Sequence, residues 1–155
     1  MTSPDSPLTG SCGCGAVHFT VSGRPTGAVY CHCTRCQKRT GAAAQPSVRV
    51  PPGSATITEG AEHVAEWHPS GGLAKAFCRE CGSHLFGRDP ETGEISVVRM
   101  AAFDSDPGVR PMARMFVAYA AEWEPIPDDG LPRFDEGAPP PDAAGSARPA
   151  NSSPA

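Results

Sequence analysis

Apolar and polar residues alternate with period two along most of this chain. In "AVHFTVSG", Val17, Phe19 and Val21 alternate with His18 and Thr20 and the run stops at a glycine, which predicts a half-buried β-strand. "PSVRVPPG" places Val48 and Val50 ahead of a Pro-Pro-Gly turn, and "SATITEG" with "EHVAEWHPSGG" reads as a further pair of strands. "EISVVRMAAF" follows the turn-rich "DPETGE", and "RMFVAYAAEW" predicts a late strand. Only "CTRCQKRTGA" has the character of a helical turn. No long amphipathic helix and no internal repeat is visible, so the expected fold class is all-β.

Length and composition then bound the picture. The 155 residues suffice for one domain with a real core. Gly (17) and Pro (18) far outnumber Phe (6) and Trp (2), as expected of many short strands and turns or of a partly disordered chain. From Glu136 onward the chain has no Val, Ile, Leu, Met or aromatic residue. It cannot bury enough apolar surface to offset the entropy of ordering. Residues 136–155 are therefore expected to form a disordered tail and residues 1–8 a disordered N-terminus, leaving 9–135 as the folded domain. The formal charge of -4 is modest and argues against a nucleic-acid partner. No secretory leader and no run of about 20 apolar residues is present, so a cytoplasmic protein without a membrane span is expected.

In that setting the seven cysteines become the informative residues. Their number is odd, and a reducing compartment disfavours disulfides, so pairing cannot account for them. They fall in three groups: Cys12 and Cys14 in "CGC", Cys31, Cys33 and Cys36 in "CHCTRC", and Cys78 and Cys81 in "CREC". Thiolates one or two residues apart suit zinc, because ligands from one short segment close the site at low chain entropy. Four ligands complete a structural site and three remain, and three protein ligands with one exchangeable position is the arrangement of a catalytic zinc. Spacing leaves two groupings open. Cys33–Cys36 could join Cys78–Cys81, or "CGC" could join "CREC" and leave "CHCTRC" whole; the second keeps each group intact.

His32 lies between two cysteines of an extended segment, so its side chain points to the opposite face and is expected to pack or hydrogen-bond from behind, with a role in supporting the ligands or contacting substrate as the alternative. His18, His63, His68 and His84 sit in strand-like contexts and read as packing or exposed residues. Arg35, Lys38 and Arg39 follow the second cluster; they form either a solvated turn or a basic surface that offsets thiolate charge and attracts an acidic substrate.

The stretches "GSCGCGAVHF", "YCHCTRCQKRTG" and "FCRECGSHLF", followed by "AEWEPIPDDGLPRF", resemble in order and composition the glutathione-dependent formaldehyde-activating enzyme (GFA) family, also called centromere-protein-V-like. The resemblance spans about Thr9 to Phe134 and all seven cysteine positions. It implies a β-tent fold of twisted antiparallel sheets, with Cys12, Cys14, Cys78 and Cys81 on a structural zinc and Cys31, Cys33 and Cys36 on a second zinc. It further implies a carbon–sulfur lyase that joins glutathione to formaldehyde as S-hydroxymethylglutathione. Three thiolates make zinc electron-rich, which favours thiol binding over carbonyl activation. The competing expectation is a non-catalytic, zinc-stabilised β-domain acting as a binding module, with redox sensing by the second cluster as a further variant.

Overall fold

The computed structural model describes residues 6–139. Most of the expected tail, and residues 1–5 of the expected disordered N-terminus, lie outside the described residues. Leu8 already opens the first strand, and the Glu136 carbonyl accepts a hydrogen bond from the Phe116 N–H at 2.8 Å.

The chain is mainly β, as the alternation predicts. Its strands are β1 (Leu8–Ser11), β2 (His18–Val21), β3 (Thr26–Cys31), β4 (Gln45–Arg49), β5 (Ala55–Glu59) and β6 (Val64–Trp67). They continue as β7 (Ala74–Cys78), β8 (His84–Arg88), β9 (Ile95–Arg99), β10 (Arg114–Met115) and β11 (Arg133–Phe134). Among the described residues the single α-helix is α1 (Thr34–Thr40), and no helix is long and apolar enough to cross a membrane.

Where the composition suggests one domain, the described residues divide into two compact units. The first comprises residues 6–26 and 48–109, the second residues 27–47 and 110–139.

In the first unit β1, β2 and β5 form an antiparallel sheet in the order β1-β2-β5. The strands β6 to β9 form a meander in which each is antiparallel to the next. The predicted inward row of β2 is the heart of the core: Val17, Phe19 and Val21 are buried while His18 and Thr20 are half-exposed. Phe19 meets the rings of Phe86 and Phe103 edge to face, with centroids 4.9 and 5.9 Å away, the favoured arrangement for aromatic pairs. Burying a ring of this kind is worth roughly 1.5–3 kcal/mol. Strand β8 buries Leu85, Phe86 and Gly87 in succession. It is an inner strand covered on both faces, so it lacks the alternation that reveals its neighbours.

In the second unit β10 lies between β3 and β11 and is parallel to both, with Arg114 opposite Tyr30 on one side and Arg133 on the other. The expected strand over "RMFVAYAAEW" is only these two residues. Phe116 then adopts a left-handed conformation (φ 58°, ψ 37°) and the chain turns into a 3-10 segment, Val117–Tyr119. A left-handed phenylalanine is costly. The turn is held by the bond from its N–H to Glu136 and by its ring lying against Tyr119.

Gly10 on β1 faces the Phe19 ring, and a β-carbon there would collide with that ring and with the Ala102 carbonyl oxygen. Gly10→Ala is expected to destabilise the chain by about 3 kcal/mol, the upper part of the overpacking range. A urea midpoint that drops at unchanged slope will verify this; an unchanged midpoint contradicts the packing described.

Candidate metal centre

Two turns build the first cysteine cluster. Cys12 ends the run after β1, where its N–H donates to Val17 O (3.1 Å) and its carbonyl accepts from Gly15 N–H (3.1 Å). This tight turn carries Cys14 at its tip, and Gly15 supplies the positive φ (79°) that an L side chain resists. Cys78 ends β7 directly after a register shift at Ala76/Phe77, and the Gly82 N–H returns to its carbonyl at 2.8 Å, leaving Cys81 in the turn. Ser83 laces the two turns together, its Oγ accepting from the Gly13 N–H at 2.8 Å.

The sulfurs of Cys12, Cys14, Cys78 and Cys81 all lie within 4.8 Å of one another. Cys12 and Cys14 are 3.6 Å apart and Cys14 and Cys78 3.8 Å. A tetrahedron of sulfurs about 2.3 Å from zinc has edges of about 3.8 Å, so the spacing fits a four-thiolate zinc. All seven cysteines are free thiols. Hydrogen bonds from Ser83 lower the Cys81 thiol to about 6. Cys14 is pushed up to about 12 even though the Ala16 N–H lowers it, because the neighbouring sulfurs of Cys12, Cys81 and Cys78 resist a further charge. Four thiolates this close would repel one another, so a cation bound among them suits the set.

The second cluster comes from one segment. Cys31 is the last residue of β3, and Cys33 caps α1, its sulfur accepting the Cys36 N–H at 3.3 Å. A thiol thus occupies the position usually held by Ser or Asp. At the other end Gly41 closes the helix in the left-handed conformation with its N–H on Gln37 O at 2.8 Å. The sulfurs of Cys31, Cys33 and Cys36 lie within 4.8 Å of one another and form a group of three among the described residues. Hydrogen bonding to Cys36 and burial raise the Cys31 thiol. Each group could hold a metal ion, and the structure brings the cysteines together as four and three.

A family model described as glutathione-dependent formaldehyde-activating enzyme matches residues 7–119, which include both clusters. The chain belongs to that family. A Halomonas elongata protein named "Putative glutathione-dependent formaldehyde-activating enzyme" is 33% identical over 105 residues, 64% of this chain and 67% of the relative. The crystal structure of a Rhodobacter sphaeroides protein shares 27% identity, covering 67% of this chain and 92% of that one with a TM-score of 0.49.

Of the basic residues singled out in this GFA-family chain, Lys38 is exposed and Arg35 half-buried. Burial lowers the Arg39 guanidinium, and Cys36, one helical turn away, partly offsets this. Lys38 and Arg39 also lie in the last turn of α1, where cations complement the helix dipole.

Spacing in the sequence does not reveal the polar network behind the second cluster. His32 is 3% exposed, and its Nε2 lies 3.2 Å from Arg114 NH1. Asp129 Oδ2 accepts from Arg114 NH2 at 2.7 Å and from Nε at 3.2 Å, and the guanidinium stacks 4.3 Å over the Tyr30 ring. Burial, then the Arg114 and Arg133 charges, lower the His32 pKa.

The Arg114 hydrogen bonds hold the Asp129 carboxyl below its ordinary value. A lowered carboxylate contributes stability that is fully present above the unfolded pKa of about 3.9 and is lost as pH falls through the folded value. The excess stability of the wild type over Asp129→Asn should therefore be constant near neutrality and shrink below about pH 4. Paired melting curves at matched metal content will show it; a gap that persists undiminished into the acid range contradicts the assignment.

Proposed function

We propose that this chain is a zinc-dependent carbon–sulfur lyase acting on adducts of glutathione, or another small thiol, with formaldehyde or a related aldehyde. The observation that carries this reading is the group of three thiols on one segment, Cys31, Cys33 and Cys36, left over once four other cysteines form a set of their own. Cys12, Cys14, Cys78 and Cys81 hold a structural zinc; Cys31, Cys33 and Cys36 hold a second zinc with a position open to substrate. When bound there, zinc stabilises a thiolate or polarises an aldehyde oxygen. Family membership supports the substrate class, and seven free thiols suit a reducing, cytoplasmic setting.

In the forward direction the thiol sulfur bonds to the carbonyl carbon and the thiol proton ends on the carbonyl oxygen; the reverse breaks that carbon–sulfur bond. A free thiol near pKa 8.5 is only a few per cent thiolate at neutral pH, so lowering that cost is the site's main task. Arg35, Lys38 and Arg39 present positive charge next to the thiols, and we assign them to the carboxylates of the thiol substrate.

Calorimetric titration of reduced glutathione into protein of measured zinc content tests this. Saturable binding is expected for the wild type and loss of at least about tenfold in affinity for Cys33→Ala, which keeps its fold; Cys81→Ala should lower the melting temperature. Equal glutathione binding by Cys33→Ala contradicts the assignment of the second site. A two-zinc protein that binds no glutathione removes that thiol as substrate.

A further inference from the structure

His32 separates two of the three clustered thiols, and its backbone N–H, its carbonyl and its ring Nε2 are each held. Its N–H donates to Met115 O at 3.0 Å, its carbonyl accepts from Gln37 Nε2 at 2.7 Å, and its ring Nε2 meets Arg114 NH1 at 3.2 Å. Gln37 Nε2 also donates to Tyr119 O at 2.8 Å, tying the middle of α1 to the 3-10 turn. Arginine has no acceptor, so Nε2 accepts and the ring proton of neutral His32 sits on Nδ1. Nε2 is thereby committed away from the thiols.

Arg114 is itself fixed on every side. Its N–H donates to Pro132 O at 2.8 Å, its Nε and NH2 grip Asp129, and its plane lies on Tyr30, one residue before Cys31. Asp129 is in turn placed by the Leu131 N–H, which donates to Oδ1 at 3.1 Å.

We propose that Arg114, braced by Asp129, is a positioning residue for the three-thiol segment: it acts through His32 to hold Cys31 and Cys33 in the geometry that binds metal. This rests on the reading of Cys31, Cys33 and Cys36 as a metal site. Partners behind a ligand set commonly change metal affinity 10–100-fold when removed. Here the partner does not touch a ligand atom; it locks the residue between two ligands.

The test is a cobalt(II) titration of the full chain, freed of metal under reducing conditions, against a competing chelator, with the thiolate–cobalt visible absorption as the readout. Wild type should take up two ions. Arg114→Met and His32→Phe should weaken uptake at the three-thiol site 10–100-fold and alter its spectrum, while the four-thiol site keeps its affinity. His32→Gln, whose Oε1 can accept from Arg114 in place of Nε2, should restore both affinity and spectrum. If Arg114→Met fails to fold, the two His32 variants carry the comparison. Wild-type affinity in folded Arg114→Met or in His32→Phe, or His32→Gln as weak as His32→Phe, overturns the positioning role. Uptake of a single ion by the wild type overturns the metal reading itself.

Discussion

Four cysteine sulfurs within 4.8 Å of one another constrain the first unit: ionised together they repel, and a cation among them would balance that charge. Two like charges about 4 Å apart repel by about 4 kcal/mol at the effective dielectric of a protein surface. Cys14 is pushed up to about 12 by the sulfurs around it, whereas hydrogen bonds from Ser83 draw Cys81 down to about 6. A divalent ion bound there would turn the repulsion into attraction and tie the Cys12–Cys14 turn to the end of β7. Cys12 and Cys78 are buried, as are Phe19, Phe86 and Phe103, so a metal bound there would support turns that burial already holds.

The second cluster obeys the same electrostatics with a different framework. Its three sulfurs come from one stretch of six residues, so their geometry is set locally by the end of β3 and the capped start of α1. Local geometry from a seven-residue helix is weakly determined unless something stiffens it. The parallel ladder of β10 against β3 and the His32–Arg114–Asp129 contacts supply that stiffness from behind. One face of the segment is thus committed to the fold, and the sulfurs are left to the chemistry.

Much of this could be read from residue order. Strict alternation marks β2, cysteine spacing marks the three ligand groups, and the helical turn at Thr34–Thr40 appears where expected. Other features were hidden for physical reasons. Strand β8 is apolar on both faces, so period two vanishes there. "RMFVAYAAEW" has the composition of a strand, yet the left-handed Phe116 ends it after Met115. Arg114 and Asp129 are 15 residues apart and Arg114 and His32 are 82 apart, and no local pattern announces a contact made only by tertiary pairing.

The most direct test of the central claim, two zinc ions held by unequal sets of thiolates, is zinc X-ray absorption on the reduced, fully loaded chain. One site of four sulfurs and one of three gives an average of about 3.5 sulfurs at about 2.3 Å per zinc, with the remainder a lighter atom. Saturating glutathione should raise the average toward about 4. A chain that binds one zinc with four sulfurs, unchanged by glutathione, would contradict the account.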